Sequence, residues 1–187
     1  MLVGMVDSWL LFGHLVGVAG LITAVGLESF IVVTARKATT VTELRVVSRG
    51  GKILSVLSPV ALLLILVFGM AMVGHDSTDF SMGDAWVVAA LCLLVFIGAV
   101  DGAVVGRRGT RLDKAVAAAP DGPVPDDVAR LAQDPVLQGA SRVVGVAVVE
   151  ALWLMAIKPS VSGTIVSLAI AAVLGAGAVL STQKAAA

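Results

Sequence analysis

The chain has 187 residues, of which 58% are hydrophobic and 14% charged, and its 13 basic residues offset 13 acidic ones. Soluble domains carry about 25% charged residues, so this composition excludes an ordinary soluble enzyme or nucleic-acid-binding domain and points to an integral membrane protein. A single cysteine, Cys92, leaves neither a disulfide framework nor a cysteine metal site.

The first apolar stretch, residues 9–34, follows an N-terminus with no basic n-region and no cleavage site, and reads as a permanent helix. Gly13, Gly17, Gly20 and Ala24 form a small-residue stripe on it, the kind of face that lets helices approach closely in lipid. His14 lies near its start, and Glu28 lies about two turns from its end. Arg36, Lys37, Arg45, Arg49 and Lys52 fill the gap that follows. The second stretch, 53–73, contains Pro59, which cannot donate to the carbonyl of Ser55, so a kink is expected there. Ser55, Ser58 and the freed carbonyl would present oxygen atoms at that level. His75, Asp76, Asp79 and Asp84 follow, with no basic residue among them.

The third stretch, 85–105, carries Asp101 near its end, and Gly98, Gly102 and Gly106 repeat at four-residue spacing, a second small-residue face expected to pack against another helix of the bundle. The segment 106–140 is the largest polar one. Residues 111–116 could extend the third helix as an amphipathic turn, and Pro120-Asp121-Gly122-Pro123 would stop it. Residues 125–131, with proline and carboxylates first, read as a short helix that Asp134-Pro135 ends. The fourth stretch, 139–158, has Glu150 at its centre and reaches membrane length only if Arg142 and Lys158 extend outward. Lys158-Pro159-Ser160 forms a tight turn into the fifth stretch, 161–180. Trp9, Trp86 and Trp153 read as interfacial or packing aromatics.

A helix needs about 20 apolar residues to cross a hydrocarbon core of ~30 Å, so the expected fold is all-α. It is a single bundle over residues 1–187 with five transmembrane helices and no room for a separate catalytic domain. All basic residues but Lys158 fall in alternate gaps and the C-terminal tail. The positive-inside rule then sets the N-terminus outside and the C-terminus inside. Topology accounts for these charges, so no nucleic-acid partner is expected. Membrane lipids, other membrane-protein subunits or a second copy of the chain are the expected partners.

Ionisable groups within a span cost ~2.5–3.5 kcal/mol each on insertion scales, so each needs a reason. Glu28, Asp101 and Glu150 are expected at similar depth on three helices, near the oxygens of Ser55 and Ser58. Such a cluster suits protons or hard cations, two adjacent carboxyls sharing a proton. The competing reading pairs Asp101 with Arg108 and Glu28 with Arg36 or Arg49 as structural contacts. His14 and His75, on neighbouring helices, are a weaker candidate pair for haem or copper; packing and surface roles are the alternatives. No nucleophile–base pair, phosphate loop or metal-binding run is present, so no enzymatic activity is expected, and no cofactor is specified.

The run Trp9-Leu10-Leu11-Phe12-Gly13-His14-Leu15-Val16-Gly17 resembles the first helix of an uncharacterised bacterial family of predicted integral membrane proteins. The basic first gap, the proline of the second helix, Asp121-Gly122-Pro123, Asp134-Pro135 and Leu154-Met155-Ala156-Ile157-Lys158-Pro159 are similar to that family too. The resemblance extends to about Pro159; here a fifth helix follows. It implies a multi-pass protein of the bacterial plasma membrane with unknown function, distantly like copper-resistance D-type membrane proteins. It singles out His14 and Lys158. Transport or ion handling, a scaffold role in a larger membrane complex, and haem or copper binding are the functions left to separate.

Overall fold

The structure is a computed structural model that describes the backbone of residues 2–73 and 80–184, and side chains over 8–73 and 80–182. The described residues form helices α1 (Leu2–Lys37), α2 (Val41–Val73), α3 (Ala85–Val100), α4 (Arg107–Ala118), α5 (Asp126–Ala132), α6 (Pro135–Ile157) and α7 (Val161–Lys184). A π-helical turn, Asp101–Gly106, joins α3 to α4 without a break. Five helical segments are long and apolar enough to cross a membrane, and the chain is an all-α polytopic bundle.

Glycine sets the closest contact. α1 and α2 run antiparallel, and a Cβ on Gly17 would lie 2.9 Å from the backbone nitrogen of Ile65. The Phe68 ring covers Gly13, and Ala61 Cβ would stand 3.2 Å from a Cβ on Gly20. The stripe is therefore used within the chain, against α2. α6 packs against α1, α3 and α7, and the four helices α1, α2, α3 and α6 enclose a core of Leu21, Ala61, Ile65, Ile97, Val144, Ala147 and Val148.

The gap before the second stretch is largely helix, because α2 begins at Val41 rather than near residue 53. Thr40 and Glu43 form a reciprocal capping box: Glu43 N–H donates to Thr40 Oγ1 (3.3 Å), and Glu43 Oε2 accepts from the N–H groups of Thr40 (3.4 Å) and Thr39 (2.8 Å). At ~1.5 Å per residue a helix of 33 residues is about 50 Å long, so α2 outruns the hydrocarbon core by several turns. Those turns pack with α4 and α5 around Ala35, Val41, Leu44, Leu112, Val116, Ala119, Val128 and Ala132, a second core at the basic end of the bundle. The segment expected as a loop over 106–140 thus supplies helices to that core. Gly122, at φ +134°, turns the chain so that its carbonyl accepts from Val41 N–H at 3.0 Å. Asp134 caps α6 through Val136 N–H (2.8 Å), and Pro135 takes the first helical position.

Replacing Gly17 by valine should lower the thermal unfolding midpoint in mild detergent, with a loss of about 1–3 kcal/mol for the overpacked contact. Gly26→Val is the control, since nothing lies within 4 Å of a Cβ there; equal melting of both variants would show that the α1–α2 approach is not limiting.

Candidate functional site at the basic end of the bundle

A cavity of about 330 Å³ lies between α1, α2 and the α3–α4 helix, on the basic side of the central apolar core. Glu28, Asp101, Ser55 and Ser58 all line it, with Pro59 and the π-helical turn. Glu28 reaches it because the α1–α2 approach turns that face of α1 inward, and it is only 3% exposed. Its carboxyl is met by Ser141 from α6 and by Asp101, while Glu28 Oε1 stays buried without a hydrogen bond. Asp101 opens the π turn, where the wider i→i+5 winding inserts a residue and re-aims the side chains that follow.

Ser55 Oγ donates to the carbonyl of Lys52 (2.8 Å), which leaves its lone pairs free. Ser58, three residues on and on the same face of α2, is buried and lines the cavity beside it. Pro59 offers no N–H to the Ser55 carbonyl, yet α2 continues through it unbroken as α-helix. Ser48, Thr110 and Asp113 continue the lining toward the basic end. The site is rich in oxygen, with the carboxyls of Glu28, Asp101 and Asp113 and the hydroxyls of four Ser and Thr residues, and no His, Cys or Met lines it.

Glu150 stands apart from this group. Glu28 faces Ser141, and Val25 faces Gly145, so the antiparallel register of α1 and α6 sets Glu150 roughly eight residues, about 12 Å, further from the basic end. It does not line the cavity. Glu150 is 8% exposed and its Oε1 has no hydrogen bond; on α7, Thr164 Oγ1 is also buried and unpartnered. Gly139 against Val179, and Gly175 against Val143, fix a register that brings Ser167 of α7 to the level of Glu150.

The expected carboxylate–arginine pairings take other forms. Arg108 makes its ion pair with Asp134, the cap of α6, rather than with Asp101. Arg36 donates to Gln138 Oε1 at 3.1 Å, and Arg45 pairs with Asp121 and donates to the Ala119 carbonyl at 2.7 Å. These arginines tie helix ends together at the basic end. Gly98, Gly102 and Gly106 line the cavity and differ in use: a Cβ on Gly98 would lie 3.4 Å from Leu62 of α2, a helix contact, whereas one on Gly102 would meet nothing within 4 Å and so gives space. Ser141 and Asp113 were not among the expected site residues. Ser141 precedes Arg142 at what reads as the edge of a span, and only the longer α6 reveals it as interior.

At the acidic end, His14 Nδ1 lies 3.3 Å from the carbonyl of Ile65. His75 lies outside the described residues, so the haem or copper pairing is not described. Among the described residues no three His, Cys, Asp or Glu side chains are grouped as metal ligands. Lys158 ends α6 in the left-handed region at φ 49°, its N–H bonded to the Leu154 carbonyl at 2.9 Å.

A family described as "Predicted integral membrane protein (DUF2269)" matches residues 5–159, most of the chain, and the protein belongs to that family. No curated protein and no solved structure matches it.

An unpaired buried carboxyl oxygen is costly, so Glu28→Met should raise the unfolding midpoint by the equivalent of about 1–3 kcal/mol. A lowered midpoint would show that the contacts with Ser141 and Asp101 outweigh that cost.

Proposed function

With membership of that family as the premise, we propose that this protein handles protons or small hard cations at the basic-end cavity, as part of a transport activity rather than an enzymatic one. One observation carries the reading: Glu28 and Asp101, from two different helices, meet at one cavity whose other polar walls are the hydroxyls of Ser48, Ser55, Ser58 and Thr110 and the carboxyl of Asp113. A buried carboxyl with an unused oxygen persists against its own cost where it has a ligand or proton to hold. Two facing carboxyls hold one proton between them, or release it to admit a cation among the serine oxygens. Ser48, Thr110 and Asp113 give the ion a polar way in from the basic end.

On this reading the protein sits in the plasma membrane of a bacterium, with surrounding lipids as its first partners. The basic end, with Arg45, Arg107, Arg111 and Lys114, lies in the cytoplasm, and the loop holding Asp84 lies outside.

In reconstituted vesicles carrying a pH-sensitive dye and an imposed cation gradient, Glu28→Gln and Asp101→Asn should each reduce flux at least about tenfold, the scale of a lost charged ligand. Glu150→Gln, outside the cavity, should reduce it far less; flux untouched by Glu28→Gln would sink the reading. Orientation has its own check. In a Cys92→Ser background, a membrane-impermeant maleimide applied to intact cells should label Ser81→Cys and spare Ala117→Cys, both of which are exposed positions. The reverse pattern would invert the map.

A further inference from the structure

A second, larger cavity of about 410 Å³ lies at the acidic end, within the size range of small-molecule sites (about 300–1,000 Å³). Its walls are apolar side chains such as Leu15, Met70, Leu94 and Met155, with two polar residues, His14 and Lys158. The α1–α6 register, extended from Glu28 opposite Ser141 and Val25 opposite Gly145, brings Lys158 within one turn of the level of His14. A proton donor and an imidazole therefore stand on different walls of one apolar cavity, within one helical turn of each other in depth.

The protonation of His14 follows from its partner. The Ile65 carbonyl can only accept, so Nδ1 carries the hydrogen and, in the neutral ring, Nε2 keeps a lone pair. Nε2 makes no hydrogen bond among the described residues. Gly69 makes the arrangement possible, since a Cβ there would come within 3.1 Å of Nδ1. Lys158 is fixed in a comparable way. Its ammonium lies 4.8 Å from the Phe80 ring centroid and 5.8 Å from that of Trp86, and those rings pack edge to face at 5.3 Å. Its backbone occupies a left-handed cap that glycine would hold without strain, so the side chain gives the reason for lysine at this position.

We propose that this cavity binds a neutral membrane-borne ring compound of the hydroquinone class. The Lys158 ammonium donates to one ring oxygen. His14 Nε2 accepts from the hydroxyl at the other end of the ring, and the apolar walls take the ring and its tail. An oxidised quinone has no hydroxyl to give His14, so the reduced form is the tighter ligand. This site is independent of the carboxylate cavity, from which it is separated by the Leu21–Ile65–Val148 core.

The test is calorimetric titration of the full-length protein in detergent micelles with a decyl-chain benzoquinone and, under anaerobic conditions, its hydroquinone. Saturable binding is expected, at least tenfold tighter for the hydroquinone. Lys158→Met should weaken both forms at least tenfold, and His14→Leu should abolish the preference for the reduced form while circular dichroism shows unchanged helicity. A Gly69→Ala variant, which displaces the imidazole without removing it, should also lose the preference. Non-saturable partitioning into micelles, equal affinity for the two redox forms, or saturable binding of dodecyl phosphate in place of the hydroquinone would overturn the proposal. If a variant loses helicity, competition between hydroquinone and quinone on the unaltered protein still decides the predicted order.

Discussion

The contact on which the architecture depends is the approach of two backbones, α1 and α2, across Gly13, Gly17 and Gly20. In lipid there is no hydrophobic drive to bring helices together, so association rests on close van der Waals packing, and side chains larger than hydrogen would hold these helices apart. The contact fixes height as well as distance. Gly17 against Ile65 and Gly50 against Ile31 lock one register along the whole pair. That register delivers Glu28 to the level of Ser55 and Ser58, and His14 to the gap left by Gly69. One stripe of glycine thereby positions polar groups at both ends of the bundle.

The basic end adds a constraint that a bare bundle lacks. Helix α2 and the continuous α3–α4 helix both pass beyond the hydrocarbon core and close over α5, around Leu44, Val116 and Val128. Arg45 on Asp121 and Arg108 on Asp134 fasten that cap to α2 and to the start of α6. Exposed ion pairs contribute little each. Their role here is directional: Arg108 leaves the π turn bound to the cap of α6, so the helix cannot rewind as plain α-helix without moving that pair. The turn that presents Asp101 is thus coupled to the basic-end core on one side and to α6 on the other.

Hydropathy made the spans legible because crossing length is a property of each segment alone. The α2 start was not legible. Arg45, Arg49 and Lys52 read as a loop, although nothing in a charged residue opposes helix once Thr40 and Glu43 cap it. The depth of Glu150 failed for a different reason. Counting from the end of its own helix assumes that all helices end at one plane, but α6 begins at Pro135 and its height is set by contacts with α1. The grouping of Glu28, Asp101, Ser55 and Ser58 around one cavity could be anticipated because each sits near a helix end whose position the basic residues mark. The π turn could not, since i→i+5 winding leaves no trace in the order Asp-Gly-Ala-Val-Val-Gly. Nor could the partner of Arg108, which is chosen by the fold of a segment that reads as loop.

The two cavities are held apart by one layer. On α1, His14, Leu21 and Glu28 follow at intervals of two turns and share nearly one face, so Leu21 lies midway between the acidic-end chamber and the carboxylates. Leu21, Ala61, Ile65, Ile97, Val144, Ala147 and Val148 fill that level, with Val144 fully buried. An ion entering from the basic end meets hydroxyls and carboxyls as far as Glu28 and then hydrocarbon, where it would lose its ligands at a cost of several kcal/mol. On the proposed reading, a transport cycle would require the layer to part. Glu150 lies at that same level but on the α7 side of α6, with Thr164 and Ser167 on the facing helix. On the proposed reading a rotation of α6 that opened the layer would bring Glu150 nearer the gap, but the carboxyls that hold the ion are those of the cavity, which Glu150 does not line.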